Sequence, residues 1–204
     1  MELEYGRIDV EPKIGDEPFV LGGQALGFDL LSFWRWSGSD LVGNTSRGIL
    51  AEYIVARALG IDSKVRIEWD AFDLVTAEGL RIEVKSSSYI QSWDQKGLSK
   101  IVFGIQPTRG WDAATNQTSP EFRRHADVYI FCVLAHLDQQ TLNPLDVKQW
   151  EFYVVPTTVL DQTCSTQKSI GLAMVRAKAG EPVSYESLAQ KVHELRVIPR
   201  AAKS

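Results

Sequence analysis

Residues 71–85 read Ala-Phe-Asp-Leu-Val-Thr-Ala-Glu-Gly-Leu-Arg-Ile-Glu-Val-Lys, two alternating runs separated by a glycine-bearing turn. Side chains alternate across a strand, so Phe72, Leu74 and Thr76 share one face of the first run while Asp73 and Val75 share the other. On the second run, Leu80, Ile82 and Val84 oppose Arg81, Glu83 and Lys85. A two-residue turn at Glu78-Gly79 would set Leu74 against Glu83 and mix the faces. A three-residue loop, Ala77-Glu78-Gly79, pairs Thr76 with Leu80 and Asp73 with Glu83. Its third position favours left-handed backbone, where Gly79 stands. Turn chemistry and alternation therefore select one register.

That register makes Asp73 and Glu83 cross-strand neighbours, an arrangement that like charge destabilises. Lys85 lies two residues beyond Glu83 on the same face, roughly 6–7 Å along the strand. The lysine relieves part of the repulsion and a divalent cation would relieve more. Hard oxygen ligands with an open coordination sphere suit Mg2+, with Mn2+ as a substitute. The competing reading is a solvated edge hairpin carrying a Glu–Lys ion pair. Asp70 is a rival to Asp73, but it precedes the strand and falls outside the register.

Upstream, a helix is expected from Thr45 or Ser46, either of which could cap it, to Leu59, with Gly60 as its stop. On this helix Glu52 has Ile49, Val55, Ala56 and Leu59 as near neighbours. An acid within an apolar face is paired or coordinates something. The partner is then Arg47, Arg57 or another cation, or Glu52 is a further metal carboxylate or a group orienting water.

The remaining pattern sets the fold class. Residues 1–25, with Pro12, Gly15, Pro18, Gly22 and Gly23, suggest an irregular arm, and residues 28–36 a short aromatic-rich helix. Extended segments are expected at 64–68, 71–76, 80–86 and 101–105. Residues 89–100 are ambiguous, with a short helix as one reading, and 106–124 suggest a long polar loop. Residues 127–134 and 150–155 are strongly apolar strands, the latter stopped by Pro156. The remainder is helical in pattern, with Ser184 as a cap and Leu188, Val192 and Leu195 at helical spacing. Flanking apolar strands place the hairpin centrally. The expectation is a three-layer α/β/α arrangement around a central mixed β-sheet, in one domain over 1–204. The arm, 1–25, precedes a motif-bearing core, 46–155, and a mostly helical part, 156–204.

The 204 residues are 44% hydrophobic and 24% charged with a formal net charge of −4. That composition suits one α/β domain and gives no global push toward nucleic acid or an anionic membrane. A DNA-binding protein is not excluded, because the relevant quantity is a local basic surface. The acidic first twenty residues contain no long apolar run, so no signal peptide is expected. No stretch approaches the roughly 20 apolar residues of a membrane span. Cys132 and Cys164 are expected as reduced thiols of a cytoplasmic protein. Zinc is not expected, since there is no CxxC and His125, His136 and His193 are scattered.

An acid on an early helix, an Asp before a hairpin turn and Glu-x-Lys on the next strand resemble the PD-(D/E)XK nuclease superfamily, with its restriction-endonuclease-like fold. Glu52, Asp73, Glu83 and Lys85 match, over roughly residues 46–155, and Ile82-Glu-Val-Lys-Ser86 is the most specific piece. Phe72 stands where the motif has proline, and the Gln-x-x-x-Tyr motif of the exonuclease branch is absent after Gln91. The resemblance implies phosphodiester hydrolysis in nucleic acid, DNA first, in restriction, repair or defence. It implies Mg2+ held by Asp73, Glu83 and the Val84 carbonyl, with Glu52 joining them. Lys85 would orient or deprotonate the attacking water, or stabilise developing negative charge. A homodimer is implied for a double-strand cutter. A catalytically silent relative serving as a nucleic-acid-binding or dimerisation module is the alternative, against which the retained carboxylates argue. An unrelated metal-dependent hydrolase is another.

Candidate substrate contacts are Ser86 and Ser87, whose hydroxyls could meet phosphate oxygens, although Ser86, Ser87 and Ser88 more readily make a turn. Gln91 and Trp93 are candidate lining residues. Arg109 and Trp111, with Asn116 and Gln117, combine a cation, an aromatic ring and amides, a contact surface for nucleic acid or a solvated loop. Arg123, Arg124 and His125 form the densest basic spot, a pattern typical of a solvated element start. Phe28, Phe33, Trp34 and Trp36 suggest core or a partner interface rather than a base-stacking platform.

Overall fold

A computed structural model of the chain describes residues 8–66, 71–112 and 117–195. Asp70, Asn116 and the end of the expected 64–68 strand lie outside them; residues 64–66 form no strand. The described elements run β1 (Pro18–Leu21), β2 (Gln24–Asp29), α1 (Leu30–Gly38), α2 (Asn44–Leu59), β3 (Leu74–Val75) and β4 (Arg81–Ser88). They continue with β5 (Val102–Gly104), β6 (Thr108–Asp112), β7 (Gln117–Arg123), β8 (Val128–Leu134), β9 (Trp150–Pro156), α3 (Thr157–Thr163), β10 (Ser169–Gly171), α4 (Leu172–Ala179) and α5 (Tyr185–Glu194). The fold is mixed α/β, with several sheets and five helices among the described residues.

The main sheet has the order β3-β4-β8-β9, with β4 and β8 parallel and the other two pairings antiparallel. Strand β8 is buried throughout, and its alternation divides the interior. Val128, Ile130, Cys132 and Leu134 join Ile82, Val84, Phe152 and Val154 on one face, where Ala51, Ile54 and Val55 of α2 and Leu188 and Val192 of α5 pack. Tyr129, Phe131 and Val133 join Tyr153 and Val155 on the other, against Phe103, Leu160, Ile170 and Val175. Both cysteines are buried in these clusters as free thiols.

The hairpin register is the expected one from Leu74 to Leu80, but the expected Asp73–Glu83 pairing does not form. Leu74 pairs with Ile82 and Val75 with Arg81, Thr76 N–H donates to the Leu80 carbonyl, and Gly79 has φ +83°. Regular pairing stops at Leu74, however: Asp73 N–H donates to the carbonyl of Ile82 at 3.0 Å, one residue short of its register partner. Phe72 consequently packs into the second cluster rather than sharing the Leu74 face. Strand β3 spans two residues at the sheet edge, while β4 is central.

Other expectations are corrected by local chemistry. The arm contains the β1–β2 hairpin, closed by Gly22 and Gly23, both at positive φ (58° and 85°), a glycine pair that permits a two-residue turn. Helix α2 begins behind Gly43, without a side-chain cap from Thr45 or Ser46, and ends on left-handed Gly60 as expected. Ser184 occupies the N-cap of α5. The 106–124 stretch is the β6–β7 hairpin rather than a loop. Residues 89–100 form no helix; Gln95 instead ties the segment together through the Gln91 amide, the Tyr89 carbonyl and Ser99. The serines do not turn: β4 runs through Ser88, which is fully buried.

Candidate active site

The short β3 edge and the longer β4 position three charged side chains. Glu83 stands beside Tyr129 and Lys85 beside Phe131 in the parallel β4–β8 register, on the face of the second cluster. Lys85 Nζ donates to Glu83 Oε1 at 2.5 Å. The slip before Leu74 turns the Asp73 carboxylate toward the β4 backbone, where Oδ2 accepts from Val84 N–H at 2.7 Å. Val84 thus contacts Asp73 through its amide.

The electrostatics are those of crowded carboxylates in a partly desolvated place. Burial and the charge of Glu83, with a smaller push from Glu52, outweigh the Val84 amide and Lys85, and Asp73 is pushed up to about 7. Burial pulls the Lys85 ammonium down, but Glu83, Asp73 and Glu52 outweigh it and hold the lysine above its ordinary value. Burial, then Glu83, also pushes the neighbouring Tyr129 phenol well up. Glu52 projects from α2 and is gripped by Arg66 through Nε and Nη2. Neither Arg47 nor Arg57 is its partner: Arg57 pairs with Asp62, and Arg47 is buried on the Val42 carbonyl, Asn44 and Gln91.

A cleft of about 260 Å³ opens onto Glu83 and Lys85 but not Asp73 or Glu52, lined by Ala71, Glu83, Lys85, Gly104, Gln106, Thr108, His125 and Tyr129. Of the expected substrate contacts, Ser87 is buried on the Glu83 face of β4 and Ser86 lies on the other. Gln91 is no lining residue; it faces inward, donating to the Ser88 carbonyl and accepting from Arg47. Trp93 is exposed, and Arg109 lies 4.9 Å over the ring of exposed Phe122 on the β6–β7 hairpin. The basic spot is not solvated. Arg124 is buried and donates to the carbonyls of Ile105 and Cys164 and to Asp161. His125 is buried against Thr108. The sequence reading missed Arg66 and the placement of His125 in the cleft. The latter depends on parallel pairing of β4 with β8, which no local pattern encodes.

Among the described residues, no group of three His, Cys, Asp or Glu side chains is arranged to hold a metal ion. Two carboxylates of the hard-oxygen type remain. Asp73 Oδ1 and Glu83 Oε2 stand outside the bonds to Val84 and Lys85, and Asp73, raised by burial first and by the Glu83 charge second, carries a charge that a cation would favour. That donor chemistry fits Mg2+.

A model of the bacteriophage T4 endonuclease IV family matches residues 32–172, more than two thirds of the chain. The chain belongs to that family. The matched stretch of this endonuclease family contains Glu52, Asp73, Glu83, Lys85 and every residue lining the cleft. It also contains most of α1 and all elements from α2 through β10, leaving β1, β2, all but the first residue of α4, and α5 outside. No curated protein matches the chain. None of its described helices is long and apolar enough to cross a membrane.

Proposed function

We propose that this member of the endonuclease IV family is a metal-dependent endonuclease of the PD-(D/E)XK type, hydrolysing phosphodiester bonds in DNA. The observation that carries the reading is the gathering of three charged groups at one strand: Asp73 accepts from the Val84 N–H between Glu83 and Lys85, Lys85 donates to Glu83, and Glu83 and Lys85 line one cleft. The two packed faces of the β3-β4-β8-β9 sheet support a three-layer, restriction-endonuclease-like arrangement.

Asp73 and Glu83 would hold Mg2+, and the Val84 carbonyl is the third donor the motif supplies. When bound, the ion neutralises phosphate charge and acidifies water. Lys85 is an ammonium held by Glu83, so its part is to orient the reacting groups and stabilise charge building on the phosphate oxygens. Glu52, clasped by Arg66, contributes its field to Asp73 and Lys85 and is the further carboxylate available to the metal. Arg109 on the β6–β7 hairpin and Trp93 are the exposed groups available to the nucleic-acid backbone and bases.

A homodimer forms over the N-terminal apolar surface. Helix α1 buries none of its residues, and Phe19, Leu21, Phe28, Phe33, Trp34 and Trp36 are exposed, with Phe19 stacked on Phe28 and Phe33 beside Trp36. At typical side-chain areas this is on the order of several hundred Å² of apolar surface, more than single scattered residues present and near what one partner of a stable interface buries.

The test incubates purified protein with supercoiled, linear, single-stranded and branched DNA and Mg2+ or Mn2+, beside Lys85→Ala and Asp73→Ala. Cleavage by the wild type should be lost in both variants. Cleavage that survives both substitutions refutes the site.

A further inference from the structure

Glu83 and Lys85 line the cleft from β4; the rest of its lining includes the segment around the start of β6 and the residue that follows Arg124. There Gln106, Thr108 and His125 face the space that Glu83 and Lys85 enter. His125 is only 6% exposed, yet it lines the cleft. Its Nε2 lies 2.9 Å from the Thr108 carbonyl oxygen. A carbonyl only accepts, so Nε2 carries the hydrogen and Nδ1 holds the lone pair in the neutral ring. Among the described residues no hydrogen bond reaches Nδ1. Nor is it sealed from water, since the unpartnered side-chain nitrogen buried among the described residues is Arg47 Nε.

The ring is also held in position from the hairpin side. Pairing between β6 and β7 is irregular between Arg109 and Trp111, and Gly110 at that irregularity lies against the imidazole edge. A Cβ on residue 110 would stand 2.5 Å from His125 Cε1 and 2.7 Å from Nδ1, closer than real Cβ atoms approach. A tautomer set by one carbonyl and a ring plane set by one glycine are the two restraints that an oriented proton acceptor needs. Lys85, which lines the same cleft, offers hydrogens only, because an ammonium has no lone pair.

We infer that His125 is the general base of the hydrolysis, taking a proton from the attacking water through Nδ1 in the cleft that Lys85 also lines. The inference rests on the nuclease reading. As Nδ1 accepts the proton, the water oxygen forms a bond to phosphorus. The bond from phosphorus to the departing sugar oxygen breaks, its electron pair stays on that oxygen, and a solvent proton neutralises it. The imidazolium then returns its proton to solvent.

The experiment compares full-length wild type, His125→Gln, His125→Ala and Lys85→Ala on a labelled DNA oligonucleotide with Mg2+, with melting temperatures measured for each. Glutamine retains the N–H for the Thr108 carbonyl and lacks the basic lone pair. His125→Gln should lower kcat by about 100-fold or more, the usual worth of a positioned base, with KM little changed. Added imidazoles should restore cleavage by His125→Ala in the order of their basicity. Wild-type kcat in His125→Gln, with Lys85→Ala inactive, overturns the base and leaves the nuclease site standing. Wild-type cleavage by both overturns both. Failure of every imidazole to restore a normally melting His125→Ala also overturns the base.

Discussion

Replacing Asp73 with asparagine should stabilise the metal-free protein above neutral pH, because the folded chain holds this acid against its preference. Asp73 stands at about 7 in the fold against an ordinary 3.8, through burial first and the Glu83 charge second. The folded state therefore binds the proton more tightly than the unfolded chain. Stability is fully present below the unfolded value and is lost as pH rises through about 7. At about 1.4 kcal/mol per tenfold in proton affinity, the displacement caps the loss at roughly 4 kcal/mol. Relaxation and water entry reduce it. The substituted amide would keep an oxygen for the Val84 N–H and carry no charge. Urea denaturation without metal at pH 5, 7 and 8.5 reads the difference. Wild type should weaken across that range relative to Asp73→Asn, and Mg2+ at pH 8.5 should return stability to the wild type but not to the variant. A wild type that gains stability relative to Asp73→Asn between pH 5 and 8.5 refutes the reasoning, since the carboxylate would then be favourably solvated or paired.

Four further outcomes are expected. Calorimetric Mn2+ binding should weaken as pH falls below about 7, by up to tenfold per pH unit, with proton release detected as a heat that depends on the buffer. Arg124→Ala should cost roughly 3 kcal/mol in denaturant unfolding, because it strands the carbonyls of Ile105 and Cys164 in the interior. Gly110→Ala should depress cleavage far more than melting temperature, and should add little to His125→Gln in a double-mutant cycle, since both changes act through one ring. Trp36→Glu combined with Phe33→Glu should convert a dimer to a monomer in sedimentation velocity; a sedimentation coefficient unchanged by the pair places any dimer contact elsewhere.

The hairpin was legible because two independent constraints act within fifteen residues: alternation assigns the faces and rejects the two-residue turn, and Gly79 supplies the left-handed position of the three-residue loop that aligns them. The buried strands β8 and β9 and the helix ending at Gly60 were legible for similar local reasons. Phe72 departed because a single backbone hydrogen bond, from Asp73 to Ile82, breaks alternation at the edge, and composition carries no trace of such a slip. The β6–β7 hairpin was missed because Gln117, Thr118, Ser119 and Pro120 form a polar, proline-bearing run that cross-strand pairing overrides. Arg124 looked like surface charge by its neighbours in sequence; only the fold brings two carbonyls and Asp161 to its guanidinium.

The parallel pairing of β4 with β8 has a kinetic corollary. Antiparallel neighbours can zip from a tight turn, but this pair must wait until the whole connection through residues 89–127 has been drawn closed, at the cost of its chain entropy. Glu83 and Lys85 lie before that connection and His125 lies near its far end. The two parts of the cleft lining therefore meet in a long-range, late contact of the kind that slows folding. A nascent or partly unfolded chain holds the acidic hairpin without the rest of the cleft, so cutting power would arrive with the completed sheet and not before it.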